Sequence, residues 1–232
     1  MTQPPFISFL EHRLTQPLPG YDGQRRMAPF AKTIYEPPTD IDTYKQSAVL
    51  ALLFNNHETA HNGSAAEHLE ILLTVRSSEL KNHSGQISFP GGRSDAGETI
   101  RQTALRETCE EVGVRRERIM LLGDLTPLYV PVSRSMIYPV IGFHDGKPET
   151  RPNADEVEEI FSVSFADLLN PANIDRKPWT VLGREVEVPF WNVGKQTPLW
   201  GATAMMIAEI VTLYEEFASG KQGEHQEFLG HG

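Results

Sequence analysis

The chain is predicted to fold as a layered α/β or α+β sandwich. Three observations predict it: wholly apolar runs of strand length, two long segments of helical character, and an order in which strands lie before, between and after those helices. With 232 residues, 39% of them hydrophobic and 22% charged, the chain can bury a sizeable core and is unlike a disordered one.

In chain order, Ile7, Leu10 and Leu14 recur at helical spacing, so a short amphipathic helix is expected before Pro17 and Pro19 end it. Proline and glycine recur as far as Pro38, and residues 1–46 read as an N-terminal extension. Residues 48–54 (AVLALLF) and 69–75 (LEILLTV) are apolar runs suited to buried strands, and the polar, aperiodic stretch 55–67 between them reads as a surface loop. Residues 99–112 lack proline and glycine and are followed by Gly113 and Val114, a C-terminal cap with its apolar contact. A helix is expected there, with Ile100, Ala104, Leu105, Thr108 and Val112 on its buried side. Further strands are expected at 119–122, 137–143 and 157–163, a helical turn at 165–169 stopped by Pro171, and a second main helix at 201–218. Residues 47–218 thus form the expected domain, and the polar residues 219–232 a mobile tail.

Composition narrows the function. The longest uninterrupted apolar run, residues 48–54, is far short of the roughly 20 residues that cross a bilayer as a helix. No cationic stretch precedes an apolar one near the N-terminus, so neither a membrane span nor a secretory signal is expected, and cytoplasm is the default compartment. Lys and Arg total 21 against 31 Asp and Glu, a net charge of -10 that opposes the phosphate attraction on which nucleic-acid binders rely. A compact phosphorylated ligand stays open, because clustered arginines or a divalent cation reverse the sign locally. The single cysteine, Cys109, forbids an internal disulfide or a cysteine-cluster metal site. Beside Glu110 and Glu111 its thiol is expected to ionise poorly, which makes it a poor nucleophile.

The helix at 99–112 carries the strongest signal. On a pitch of 3.6 residues per turn Glu107 and Glu111 lie nearly in register and Glu110 lies on the other flank of Glu107, so three carboxylates share one stripe. Like charges so placed repel unless something positive covers them. Carboxylate oxygens without sulfur or a histidine cluster favour a hard ion, Mg²⁺ or Mn²⁺. Arg106 can brace Glu110 from four residues away. The full pattern is Gly92, Glu98, Arg106, Glu107, Glu110, Glu111 and Gly113, and at roughly 6% usage per position its chance occurrence is on the order of 10⁻⁹ per start position.

These residues resemble the box of the Nudix hydrolases at every specified position but one, where Thr108 replaces an aliphatic side chain. The resemblance implies an α/β/α sandwich around a mixed sheet and hydrolysis of a nucleoside diphosphate linked to another moiety. It further implies that Glu107, Glu110 and Glu111 ligate the metal, that the Gly92 carbonyl adds an oxygen, that Arg106 orients a glutamate and that Glu98 plays a supporting part.

Upstream, residues 72–77 (LLTVRS), Leu80-Lys81 and residues 83–92 (HSGQISFPGG) resemble the additional signature of the coenzyme A pyrophosphatase branch, with Lys81 where that branch usually carries arginine. The implied substrate is coenzyme A or a derivative, cleaved to 3′,5′-ADP and 4′-phosphopantetheine. Arg76, Lys81 and Arg93 flank the glutamate stripe in sequence and are the expected phosphate contacts. For the proton acceptor Glu110 comes first and Glu156, just before an expected strand, second. Trp179, Trp191 and Trp200 are expected to pack apolar structure rather than stack a base. The alternatives are a Nudix enzyme for ADP-ribose, a dinucleotide or a dinucleoside polyphosphate, and a silent module that only binds nucleotide. A homodimer stays open.

Overall fold

A computed structural model describes residues 3–30, 32–36, 44–56, 68–78 and 85–227. Helix α1 (Pro5–Arg13) begins with proline at its first position, where no backbone donor is needed, and buries Phe6, Ile7 and Leu10. A short α2 (Tyr21–Gln24) follows. Strands β1 (Lys45–Asn55) and β2 (Leu69–Arg76) occupy the two apolar runs. Short β3 (Ile87–Ser88) and β4 (Gly91–Arg93) lead into α3 (Ile100–Val112). Then come β5 (Ile119–Asp124), β6 (Leu128–Val130), β7 (Ser135–His144), β8 (Val157–Ser164) and α4 (Phe165–Leu169). The chain continues through β9 (Ile174–Val181), β10 (Arg184–Trp191), β11 (Leu199–Trp200) and α5 (Gly201–Glu227). Helix α5 therefore runs past Ala218. None of the described helices is long and apolar enough to cross a membrane.

The main sheet has the order β3-β2-β1-β7-β5, with β4 on β1, β6 on β7 and β8 on β2. It is mixed, because β1 and β7 run parallel while the other pairings are antiparallel. Side chains alternate across it with the period of two that strands impose. Ala51, Leu53, Ile71, Leu73, Ile141 and Phe143 face a core shared with α1 and α5, whereas Leu50, Leu52, Phe54, Leu72 and Val140 face Ala104 and Val112 of α3. The α/β/α sandwich follows from that two-sided apolar demand. Each fully buried Leu or Phe contributes about 1.5–3 kcal/mol.

Strand β1 pairs with β2 at Leu53, Phe54 and Asn55, and with β4 at Ser47, Ala48 and Val49, so the sheet splays where the chain enters α3. Residues 174–200 carry no clear strand pattern in sequence, yet they form β9–β11. Pro178, Pro189 and the charged residues between them hide the alternation, and Leu182 and Gly183 close the hairpin with φ of 52° and 71°. The stretch 57–67 of the expected surface loop lies outside the described residues.

Candidate metal and phosphate site

Helix α3 is set by its own ends. Thr99 accepts from the Gln102 backbone N–H while the Gln102 side chain accepts from the Thr99 N–H, and Gly113 ends the helix at φ 73°. Ala104, Thr108 and Val112 are buried as expected, with Ile100 and Leu105 half-buried. Thr108, at the position that departs from the box, satisfies its own hydroxyl by donating to the Ala104 carbonyl at 2.7 Å. The buried set also includes Thr103 and Glu111.

Glu111 is the most constrained carboxylate. Its side chain is 3% exposed, it accepts the Gly91 N–H at 3.0 Å, and Arg76 Nη1 stands 3.7 Å from its other oxygen. Burial pushes its carboxyl up to about 7, against the opposing pull of the Gly91 N–H and Arg76, and Glu156 and Glu107 push it further. Glu107 is likewise raised, chiefly by burial and partly offset by Arg106. Gly91 and Gly92 are required sterically. A Cβ at Gly91 would overlap the Ala48 carbonyl and Val49 of β1, and one at Gly92 would overlap the Glu107 carboxylate.

Arg106 organises the outer side of the stripe. Its Nε and Nη2 grip Glu98 at 2.8 and 3.0 Å, Nη1 reaches Glu107 at 2.9 Å and Glu110 at 3.1 Å, and Nη2 also donates to the Arg93 carbonyl at 3.1 Å. That fork, with the Asp95 N–H and the Thr103 hydroxyl, holds the Glu98 carboxyl down at about 2. Its main partner is thus Glu98, beyond the i,i+4 brace of Glu110 that helical spacing suggests.

The third carboxylate against Glu107 and Glu111 comes from another segment. Oxygens of Glu107, Glu111 and Glu156 lie within 4.8 Å of one another. The Arg151 and Asn153 N–H groups donate to the Val112 and Glu111 carbonyls at 2.8 and 2.9 Å, docking the loop before β8 on the end of α3. The Glu156 N–H then donates to the Asn153 carbonyl at 3.0 Å, and its own carbonyl accepts from Ser77 at 2.9 Å, next to Arg76. Glu110 turns outward, with 57% of its side chain exposed. The side chain of Arg93 is exposed, and Lys81 and His83 lie outside the described residues.

The trio fits a hard divalent ion. It offers only oxygen donors, half-buried or buried, whose mutual repulsion a cation would relieve. Among the described residues a cleft of about 520 Å³ opens along α3 and takes in the Arg106 side of the site, lined by Glu98, Gln102, Leu105, Arg106, Cys109, Glu110 and Arg116. The Cys109 thiol there is pushed up mainly by burial, with Glu117 and Glu110 adding to it, and it stays a poor nucleophile. Sequence reasoning missed Asn153 and Ser77, whose backbone groups carry no residue-type signal at all.

Residues 44–182 match the NUDIX domain family. Over 118 residues the chain is 40% identical to the peroxisomal coenzyme A diphosphatase NUDT7 of Mus musculus, covering 50% of each chain. Over 106 residues it is 40% identical to the mitochondrial coenzyme A diphosphatase NUDT8 of Homo sapiens, covering 44% of this chain and 45% of that one. It is 35% identical over 146 residues to an uncharacterized Nudix hydrolase, NudL, of Pectobacterium atrosepticum, covering 60% of this chain and 72% of the relative. The chain thus spans about half the length of the two coenzyme A diphosphatases.

Proposed function

We propose, from the premise that this chain belongs to the NUDIX domain family, that it is a Mg²⁺- or Mn²⁺-dependent hydrolase that cleaves the pyrophosphate of coenzyme A or a derivative into 3′,5′-ADP and 4′-phosphopantetheine. The observation that carries the reading is the meeting of Glu107, Glu111 and Glu156 within 4.8 Å, with Arg76 against Glu111 and Arg106 against Glu107. The names of the two coenzyme A diphosphatases and the signature through Arg76 and Phe89-Pro90-Gly91-Gly92 support the choice of substrate.

In this assignment Glu107, Glu111 and Glu156 hold the ion, and the Gly92 carbonyl adds an oxygen. The ion, when bound, lowers the pKa of a water and neutralises phosphate charge. Arg106 fixes Glu107 and Glu110 in place. Arg76 and Arg93, with Lys81 from the sequence between them, take the phosphate oxygens. Glu110 keeps one oxygen off Arg106 and takes the proton from the attacking water, while Glu156, tied by its backbone, serves as a ligand.

The test is chromatography of the products from coenzyme A with Mg²⁺ and with Mn²⁺, followed by kcat/KM over a panel that includes ADP-ribose, a dinucleotide and a dinucleoside polyphosphate. The expected result is both named products and the highest kcat/KM for coenzyme A or its thioester. A higher value for a nucleotide without the pantetheine arm would overturn the substrate. Absence of turnover with every member would leave a silent binding module.

A further inference from the structure

The tryptophans divide between the two faces of the β9–β11 sheet. Trp191 is fully buried and donates its indole N–H to the Leu168 carbonyl at 3.1 Å. On the other face Trp200 opposes Phe190, and Trp179 leans on Trp200 with ring centroids 4.7 Å apart. Trp179, Trp200 and Phe190 are half-exposed and stand outside both buried clusters and their rims, so the sandwich does not account for them. Lys177 lies over the Trp179 ring at 4.9 Å and over Phe190 at 5.9 Å.

This shelf is tied to the rim of the carboxylate site. The Thr203 hydroxyl in the first turn of α5 donates to the Ile87 carbonyl at 3.2 Å, and Trp200 ends the strand that leads directly into that helix. Ile87 pairs with Val75, whose neighbour Arg76 faces Glu111. The two indoles meet at 58° and form an apolar corner, so a flat base fits against one ring with its edge on the other, and the cation beside them suits a base that carries a phosphate. A pantetheine arm has no planar ring to stack. A second copy of the chain needs about 800 Å² per partner, far more than three rings provide.

We propose that Trp179, Trp200 and Lys177 form the subsite for the phosphorylated purine-nucleoside end of the substrate, which is 3′-phosphoadenosine under the functional reading on which this inference rests. The purine stacks on the Trp179 ring against the edge of Trp200, in the place the Lys177 ammonium holds over that ring, and the displaced ammonium meets the ribose phosphate.

The experiment titrates the full chain with 3′,5′-ADP and with 5′-AMP by calorimetry and tryptophan fluorescence, in wild type and in Trp179→Leu, Trp179→Phe and Lys177→Gln. Trp179→Leu should raise the Kd for 3′,5′-ADP roughly tenfold, the loss of one stacked base, and Trp179→Phe should recover most of it. Lys177→Gln should weaken 3′,5′-ADP more than 5′-AMP, and KM for coenzyme A should rise with the Kd in both weakened variants. Failure of wild type to bind 3′,5′-ADP, or equal binding by all variants, overturns the subsite. A dimer that Trp179→Leu converts to monomer with the Kd unchanged reassigns the shelf to self-association. Coenzyme A hydrolysis with a KM indifferent to both positions sinks the subsite alone. Binding that depends on Trp179 and Lys177 in a protein that leaves coenzyme A intact sinks the functional reading alone.

Discussion

Arg106 holds Glu98, Glu107 and Glu110 with one guanidinium, while Glu111 and Glu156 are fixed through backbone groups of other segments. The five carboxylates therefore have different freedoms, and substitution should separate them. Glu111→Gln keeps an oxygen for the Gly91 N–H and removes a buried charge, so the metal-free protein should fold at least as well as wild type. Both Glu111→Gln and Glu156→Gln should lose most of the rise in Tm that MnCl₂ produces over EDTA. Glu110→Gln should keep that rise while kcat falls by about 10²- to 10⁴-fold, the usual contribution of a proton acceptor. Thermal melts with parallel kinetics decide it, and a Glu156→Gln enzyme with normal Mn²⁺ stabilisation but lost kcat would exchange the two roles. Spacing along one helix reveals Glu107 and Glu111 as partners, because 3.6 residues per turn is a covalent consequence. It does not say that Glu110 turns outward, since Arg106 and solvent decide that.

At the level of elements, α3 is bounded by two caps that do different work. Thr99 closes the N-terminal turn and touches nothing of the carboxylate trio, whereas Gly113 lies under Arg151, where a Cβ would press on the Arg151 backbone at 3.1 Å. Thr99→Ala should cost about 1 kcal/mol with Mn²⁺ affinity unchanged. Gly113→Ala, strained at positive φ, should cost about 1–2 kcal/mol and also weaken Mn²⁺ binding, because it displaces the loop that presents Glu156. Urea unfolding and calorimetry of the two variants test this, and equal metal affinity in both would show that the loop does not depend on the helix end. The strands with wholly apolar runs are legible because both faces of β1 and β2 are buried. The β9–β10 hairpin is not, because its outer half is exposed and interrupted by proline.

Across the whole molecule, residues before β1 share the core of the rest. Phe6 packs against Phe165, Tyr214 and Phe217, and the buried Glu209 of α5 accepts from Gly20, Gln24 and Thr126. Burial holds the Glu209 carboxyl above its ordinary value despite those three donors. Below the unfolded pKa both states keep the proton. As pH rises the unfolded chain releases it first, so Glu209's stabilising contribution is present in acid and is lost as pH climbs through the raised folded value. Glu209→Gln has no such dependence, and its stability relative to wild type should therefore improve as pH rises from the ordinary glutamate range through the raised folded value, and level off above it, in urea unfolding. A difference that stays flat over that range would remove the assignment. The sandwich, the box helix, its C-terminal cap and the kind of ion it suits can be read from residue order, because periodicity and side-chain chemistry are local properties. Which glutamates meet, where Arg76 points and which tryptophans remain outside the core depend on segments far apart in sequence, and only chain packing brings those into contact.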